Sequence, residues 1–464
     1  MGGVGKRLFG DDLFRKVFAN TAKLGSSKIL GGLFSLIALV CTTHGLSAGA
    51  FGVLTLISSY ALSVTAFGSF QSWQVVLHYG AVPWKDGQRG RVVNTIRFAF
   101  GLDLTAGLVS MAVAMAALLL FGHKLGVRAE HRHLALLYCT LIPGMASSTS
   151  LGVLRLLDRV GMLARQKMVG PVLQAVLCAI AMVLKGNLAS FVIAWYVARL
   201  VSQIWMWVCT WRALKEVGLS AALRPSLLGA GRRMPAGTWS FTWMSSINVL
   251  IYSAWQPVSN LMVGSVLGNA AAGVYGLALK LLSAVRSPAR MLEKNYYPEI
   301  VRLDPRTQRP WAILARFCGI SALVGVGGML LVYVGGQPLI SLLGHRYGQS
   351  ATVLKWMAPS VLFFLFPLPL DSILFTSGRA ASLMVIEGSS ALIYLLLVIL
   401  LGHFWGLNGV GLAYTVGRGI LALMVVSLSL YVFWHRDRII PPHERRKQKR
   451  APERGEVKRA VSTP

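Results

Sequence analysis

Apolar positions in this chain come in long unbroken runs. As α-helix, ~20 such residues cross the ~30 Å of a bilayer's hydrocarbon core. Twelve windows meet that length, at 25–44, 50–72, 98–121, 133–154, 168–184, 188–211, 241–262, 268–285, 312–334, 351–376, 380–401 and 408–434. The pattern predicts an all-α polytopic membrane protein with about twelve transmembrane helices. Pro359, Pro367 and Pro369 require a bend in the tenth span, and Pro257 is expected to kink the seventh. Before the first span, Leu13, Phe14, Val17 and Phe18 share one face of a helix and suggest an interfacial segment.

Composition sharpens this picture. Of 464 residues, 55% are hydrophobic and 13% charged, which excludes a soluble fold of this size. The net charge of +30 is concentrated in the connections rather than spread over a polar surface, so nucleic acid is not the expected partner. In alternate connections 35 of the 46 Lys and Arg fall on one side and 5 on the other, which puts both termini in the cytoplasm. No small-residue cleavage site follows the first apolar run, so no signal peptide is expected to be removed. No external connection exceeds about 16 residues, too few for an external domain. Residues 435–464 carry ten cations and four prolines and read as a disordered basic tail beside the anionic inner leaflet.

The chain repeats itself. LSAGAFGVLTL, Leu46 to Leu56, aligns with LGNAAAGVYGL, Leu267 to Leu277, and AWYVAR, Ala194 to Arg199, aligns with AYTVGR, Ala413 to Arg418. The offsets, 221 and 219, are nearly equal and imply duplication. An even number of spans per half makes the halves parallel six-helix repeats, with a substrate site expected between them. The organisation expected is therefore an N-terminal amphipathic segment over 1–24, a six-helix bundle over 25–211, a cytoplasmic linker over 212–240, a second bundle over 241–434 and the tail.

Candidate chemistry lies in the charges placed inside spans, where an ion costs at least ~2.5–3.5 kcal/mol at the helix centre. Arg199 and Arg418 occupy matching positions of the two halves. Either they bind phosphate oxygens bidentately or each is tied within its own bundle, Arg199 to Asp103 and Arg418 to Glu387. Lys28 and Lys280, in the first and eighth spans, either meet a head group arriving from inside or snorkel to the interface. Asp103, Asp371 and Glu387 are candidates for coupling-ion binding or for ion pairs with Arg. Five scattered cysteines give neither a disulfide pattern nor a thiolate metal site. His123, His131 and His133 lack a fourth ligand for zinc, and GGVGK, Gly2 to Lys6, lacks the spacing of a phosphate loop. No metal or cofactor is expected. Trp195, Trp205, Trp207, Trp211, Trp239, Trp243 and Trp255 suit either sugar stacking or interfacial girdles.

The FGVLTL element, the GVYGLALKLLSAVRSPARMLEKNYYPEI stretch ending at Ile300, the FTSGR turn from Phe375 to Arg379 and GLNGVGLAYTVGR before the last span together resemble the oligosaccharide flippases of bacterial polysaccharide export. These belong to the multidrug, oligosaccharidyl-lipid and polysaccharide exporter superfamily. Over residues 20–434 the resemblance implies a transporter of the bacterial inner membrane. It would move an undecaprenyl-diphosphate-linked oligosaccharide between leaflets by alternating access, for export of lipopolysaccharide O-antigen, capsule or exopolysaccharide, alongside polysaccharide polymerase and export proteins. On that reading Lys28, Lys280, Arg199 and Arg418 would meet the diphosphate. A cation-coupled multidrug exporter of the same superfamily is the alternative. A membrane-embedded glycan polymerase or glycosyltransferase fits less well, because the external loops are too short to hold a catalytic site.

Overall fold

The computed structural model describes residues 12–122, 129–286 and 306–436. Among the described residues every regular element is a helix. In chain order these are α1 (Asp12–Gly45), α2 (Ala48–Gly68), α3 (Ser72–Lys85), α4 (Arg89–Phe121), α5 (Arg132–Cys139), α6 (Ile142–Ala146), α7 (Thr149–Leu156), α8 (Val160–Val183), α9 (Leu188–Glu216) and α10 (Leu227–Gly231). They continue with α11 (Thr238–Leu267), α12 (Asn269–Arg286), α13 (Gln308–Leu343), α14 (Gly348–Met357), α15 (Pro359–Leu365), α16 (Leu368–Thr376) and α17 (Ala380–Trp434). The protein is an all-α polytopic membrane protein.

Among the described residues seven helices are individually long and apolar enough to cross a membrane, and the bent run through α14 and α15 to Phe375, broken by 41°, makes an eighth. The difference from twelve windows lies in how the remaining spans are built. The fourth window falls on three short helices, α5 to α7. The eleventh and twelfth share α17, whose helical path is interrupted at Gly406 (φ 57°, ψ −138°), a backbone conformation that glycine adopts without a Cβ penalty. The seventh and eighth windows coincide with α11 and α12. The bend expected of the tenth span is present at its prolines, whereas α11 continues through Pro257 as one helix.

Connections that read as loops are largely helical. Helix α1 is continuous from Asp12, so the expected interfacial segment and the first span form one element. Residues 73–97 fold as α3 and the start of α4. The stretch 212–240 is a folded connection: Leu214, Leu219 and Ala222 are buried against Val76, Val92, Ile96 and Val153. Ser226 N–H donates to the Arg97 carbonyl at 3.2 Å. The tail from residue 437, His123, and most of the connection after α12 lie outside the described residues.

The chain divides into two compact units, Met1–Gly276 with Leu342–Tyr347, and Leu277–Ser341 with Gly348–Pro464. In the first, polar contacts pin the helices across the apolar interior. Tyr60 donates to the Ala114 carbonyl at 2.7 Å and Asn260 Nδ2 to Ser59 Oγ at 2.9 Å. The duplicated motifs meet here. A Cβ on Gly52 would overlap the Asn269 carbonyl, and one on Gly273 would come within 2.9 Å of the Ala48 oxygen and of the Gly52 backbone. Small residues let membrane helices approach to backbone contact, and these two glycines are equivalent in the repeat. In the second unit Leu314, Ile373, Leu374, Leu383, Val425 and Val432 form a buried cluster.

Candidate functional site

The intramembrane charges fall into three environments. Asp103, 1% exposed on α4, accepts five hydrogen bonds: from Ser72 Oγ at 2.5 Å, Ser147 Oγ at 3.1 Å, Ser148 N at 2.8 Å, Thr149 N at 2.8 Å and Thr149 Oγ1 at 2.7 Å. The carboxylate thus satisfies the leading N–H groups of α7, which have no partner within their own helix. The neighbouring break between α2 and α3 is tied to the same place, for Ser148 Oγ donates to the Phe70 carbonyl at 3.2 Å. Asp103 therefore holds two helix breaks together. The ion pair between Asp103 and Arg199, one of the two alternatives read from the sequence, does not form, because hydroxyl and amide donors already fill the carboxylate.

Arg199 instead lines a cavity of about 440 Å³ inside the first unit, between α1, α2, α5, α6, α8 and α9. Asn187 caps α9 by accepting from Ser190 N at 3.2 Å and so fixes the helix that presents Arg199. The guanidinium is half-buried, and its hydrogen-bond acceptor among the described residues is the Met145 thioether at 3.9 Å, a weak one. Gln174, Gln203, Ser202, Tyr138 and Trp195 share the wall, which includes no carboxylate among the described residues. Gln203 Nε2 donates to the Leu141 carbonyl at 3.4 Å, and the side chain packs so closely over Gly144 that a Cβ there would overlap it. Trp195 is 6% exposed, which takes it out of any interfacial girdle; Trp211, Trp239 and Trp243 are exposed.

The second unit holds a different arrangement. Arg418 lies 5.8 Å from the ring centres of both Phe364 and Tyr414, and Arg286 lies 5.1 and 5.2 Å from the same two rings. Arg286, only 3% exposed, also donates to Tyr414 Oη and Ser360 Oγ, each at 2.6 Å. Tyr394 stacks edge-on against Tyr414 at 5.6 Å. Glu387 lies on the same helix as Arg418, α17, within its electrostatic reach. Arg286 was not foreseen. It follows directly on the eighth window, and one further residue of helix brings it into the span.

Lys28 on α1 and Lys280 on α12 are both exposed side chains, in different units. Asp371 sits on α16 near Cys318 of α13. Lys355 donates to Gln337 Oε1 at 3.0 Å, and Arg316 is exposed. Arg199 and Asp103 thus have separate partners.

No family model matches the sequence. A solved multidrug resistance MATE family transporter of the MOP superfamily, in its inward-facing conformation, superposes with a TM-score of 0.71 over 87% of this chain and 95% of its own at 13% identity. A MOP superfamily transporter from Pyrococcus furiosus, described as having a binding pocket of reverse polarity that suggests a different function, gives 0.63 over 93% and 98% at 13% identity. A mutant of the Vibrio cholerae MATE transporter VcmN gives 0.59 over 91% and 98% at 14% identity. These establish the fold as MATE-type. The Escherichia coli inner membrane protein YghQ is 39% identical over 346 residues, 74% of this chain and 97% of its own length. Its similarity in sequence, on a fold shared with MOP-superfamily transporters, shows that the chain belongs to the YghQ family.

Proposed function

We propose that this protein is a transporter of the bacterial inner membrane. Its cargo on this reading is an anionic lipid-linked oligosaccharide, carried on a polyprenyl diphosphate and moved between leaflets by alternating access, in concert with polysaccharide polymerase and export proteins. One observation carries the choice of cargo. Among the described residues the polar cavity of the first unit presents the Arg199 guanidinium and no carboxylate, and Asp103 is saturated by hydroxyl and amide donors. An organic cation entering that cavity would meet like charge in a medium of low dielectric, whereas an anion gains a charge-assisted contact. Lys28 in the first unit, and Lys280 and Arg418 in the second, are the cations proposed for the diphosphate. The charge asymmetry of the connections favours both termini in the cytoplasm.

Multidrug export is the second reading. It is favoured by the multidrug resistance transporter among the solved structures of this fold.

The test uses purified protein in proteoliposomes containing an undecaprenyl-diphosphate-linked oligosaccharide whose sugar is cleaved by a membrane-impermeant glycosidase. Protein-dependent conversion of the protected inner-leaflet pool to a cleavable one is expected. Unchanged protection, together with protein-dependent ethidium export from cells, would replace this reading with the second.

A further inference from the structure

We infer that the cavity around Arg199 is a recognition site for one acidic sugar residue of the cargo, with the sugar carboxylate on the guanidinium. This inference rests on the oligosaccharide reading and specifies which part of the cargo the first unit reads.

The wall supplies the matching chemistry. Arg199 is the one charged group lining the cavity among the described residues. A diphosphate would call for a second cation, while a single guanidinium balances a single carboxylate in bidentate fashion. The thioether it now faces is too poor an acceptor to compensate a half-buried charge, so an incoming carboxylate gains a contact without breaking a strong one.

The remaining wall fits a ring bearing hydroxyls. Gln174 and Gln203 carry amides that both donate and accept. Ser202 Oγ accepts from Gln166 Nε2 at 3.3 Å, which leaves its own proton to donate. Tyr138, 1% exposed and in the wall, has a hydroxyl with no hydrogen-bond partner among the described residues, and a buried polar group of that kind is stabilised by a ligand that completes it. Trp195 adds an apolar surface for the C–H face of a sugar. At about 440 Å³ the cavity is of ligand-pocket size yet far too small for a lipid-linked chain, so it takes a short stretch of sugar.

The experiment titrates the full-length protein in detergent micelles with glucuronate, glucose and pyrophosphate by calorimetry. Glucuronate is expected to bind at least about tenfold more tightly than glucose, to lose about tenfold or more in Arg199→Gln, and to recover in part in Arg199→Lys. If Arg199→Gln is not recovered folded, Gln174→Leu serves, with weakening of both sugars expected. Absence of glucuronate binding, equal affinity for glucose, an unchanged affinity in the variants, or displacement of glucuronate by pyrophosphate at lower concentration would each overturn the acidic-sugar assignment. The proteoliposome assay, repeated with acidic and neutral oligosaccharides, separates the two readings. Flipping of both cargoes at equal rates rejects the acidic-sugar site alone, and flipping of neither rejects the transport reading beneath it.

Discussion

Asp103 shows how a single side chain can look functional in sequence and be structural in the fold. A carboxylate inside a membrane span suggests an ion carrier. Here five donors from Ser72, Ser147, Ser148 and Thr149 surround it, and it caps a helix that begins inside the protein. Asp103→Ala is expected to leave those donors unsatisfied and to destabilise the first unit by about 3 kcal/mol or more. Asp103→Asn should be milder, since its carbonyl can keep the four contacts made at Oδ2 and its NH₂ can donate to the Ser72 hydroxyl. The Ala variant should be depleted on fluorescence-detected gel filtration of detergent extracts, and the Asn variant less so. An Asp103→Asn protein at wild-type level that fails to transport would instead make Asp103 a proton carrier. Arg286 is the opposite case, a connection residue in sequence that proves to be buried among Tyr414, Ser360 and Phe364.

At the scale of elements, the crossing of α2 and α12 depends on two glycines. Gly52 stands against Asn269, and Gly273 against Ala48 and Gly52. Gly52→Leu has no room, because the obstacle is backbone rather than the far end of a flexible side chain. The variant is expected to lose several kcal/mol in stability through overpacking, well beyond the ~1–3 kcal/mol of an ordinary core insertion. Gly49→Ala, one turn earlier on α2 with nothing within 4 Å of its Cβ position, should be neutral or slightly stabilising. Thermal unfolding of the two purified variants distinguishes them, and equal melting temperatures would mean that the helices do not cross there. The short helices of the fourth window follow similar logic. Their breaks persist because Asp103 and the Ser147–Ser148 corner replace the backbone hydrogen bonds that an unbroken helix would have made.

For the whole molecule, orientation follows from where the cations are. Arg224, exposed in the folded 212–240 connection, belongs to the cation-rich side, and Lys185, exposed between α8 and α9, to the other. In a background lacking the five buried cysteines, Lys185→Cys is expected to react with a membrane-impermeant maleimide on spheroplasts and Arg224→Cys only after lysis. The reverse pattern would invert the proposed topology. The helical membrane architecture was legible at this scale because it follows from many weak local signals acting together: twelve apolar windows, an excess of cations in alternate connections, and two pairs of matching segments at nearly constant offset; the superfamily fold itself was implied only by the family resemblance.

Hydropathy and charge are sums over neighbouring residues, so the sequence alone determined that this chain is a helical membrane protein, roughly where its helices lie, and which short segments recur along it. The helical content of the 73–97 and 212–240 connections was hidden because segments rich in polar residues fold by packing on elements far along the chain. The partners of the buried charges were hidden for the same reason. Asp103 meets Ser147 to Thr149 across 44 to 46 residues, and Arg286 meets Tyr414 across 128. A hydrogen bond requires an approach of ~3 Å in a suitable direction, and no local pattern encodes which distant donor will arrive. Only the tertiary structure could therefore decide that Asp103 is a clamp, that Arg199 faces a cavity, and that Arg418 shares its aromatic rings with a second arginine.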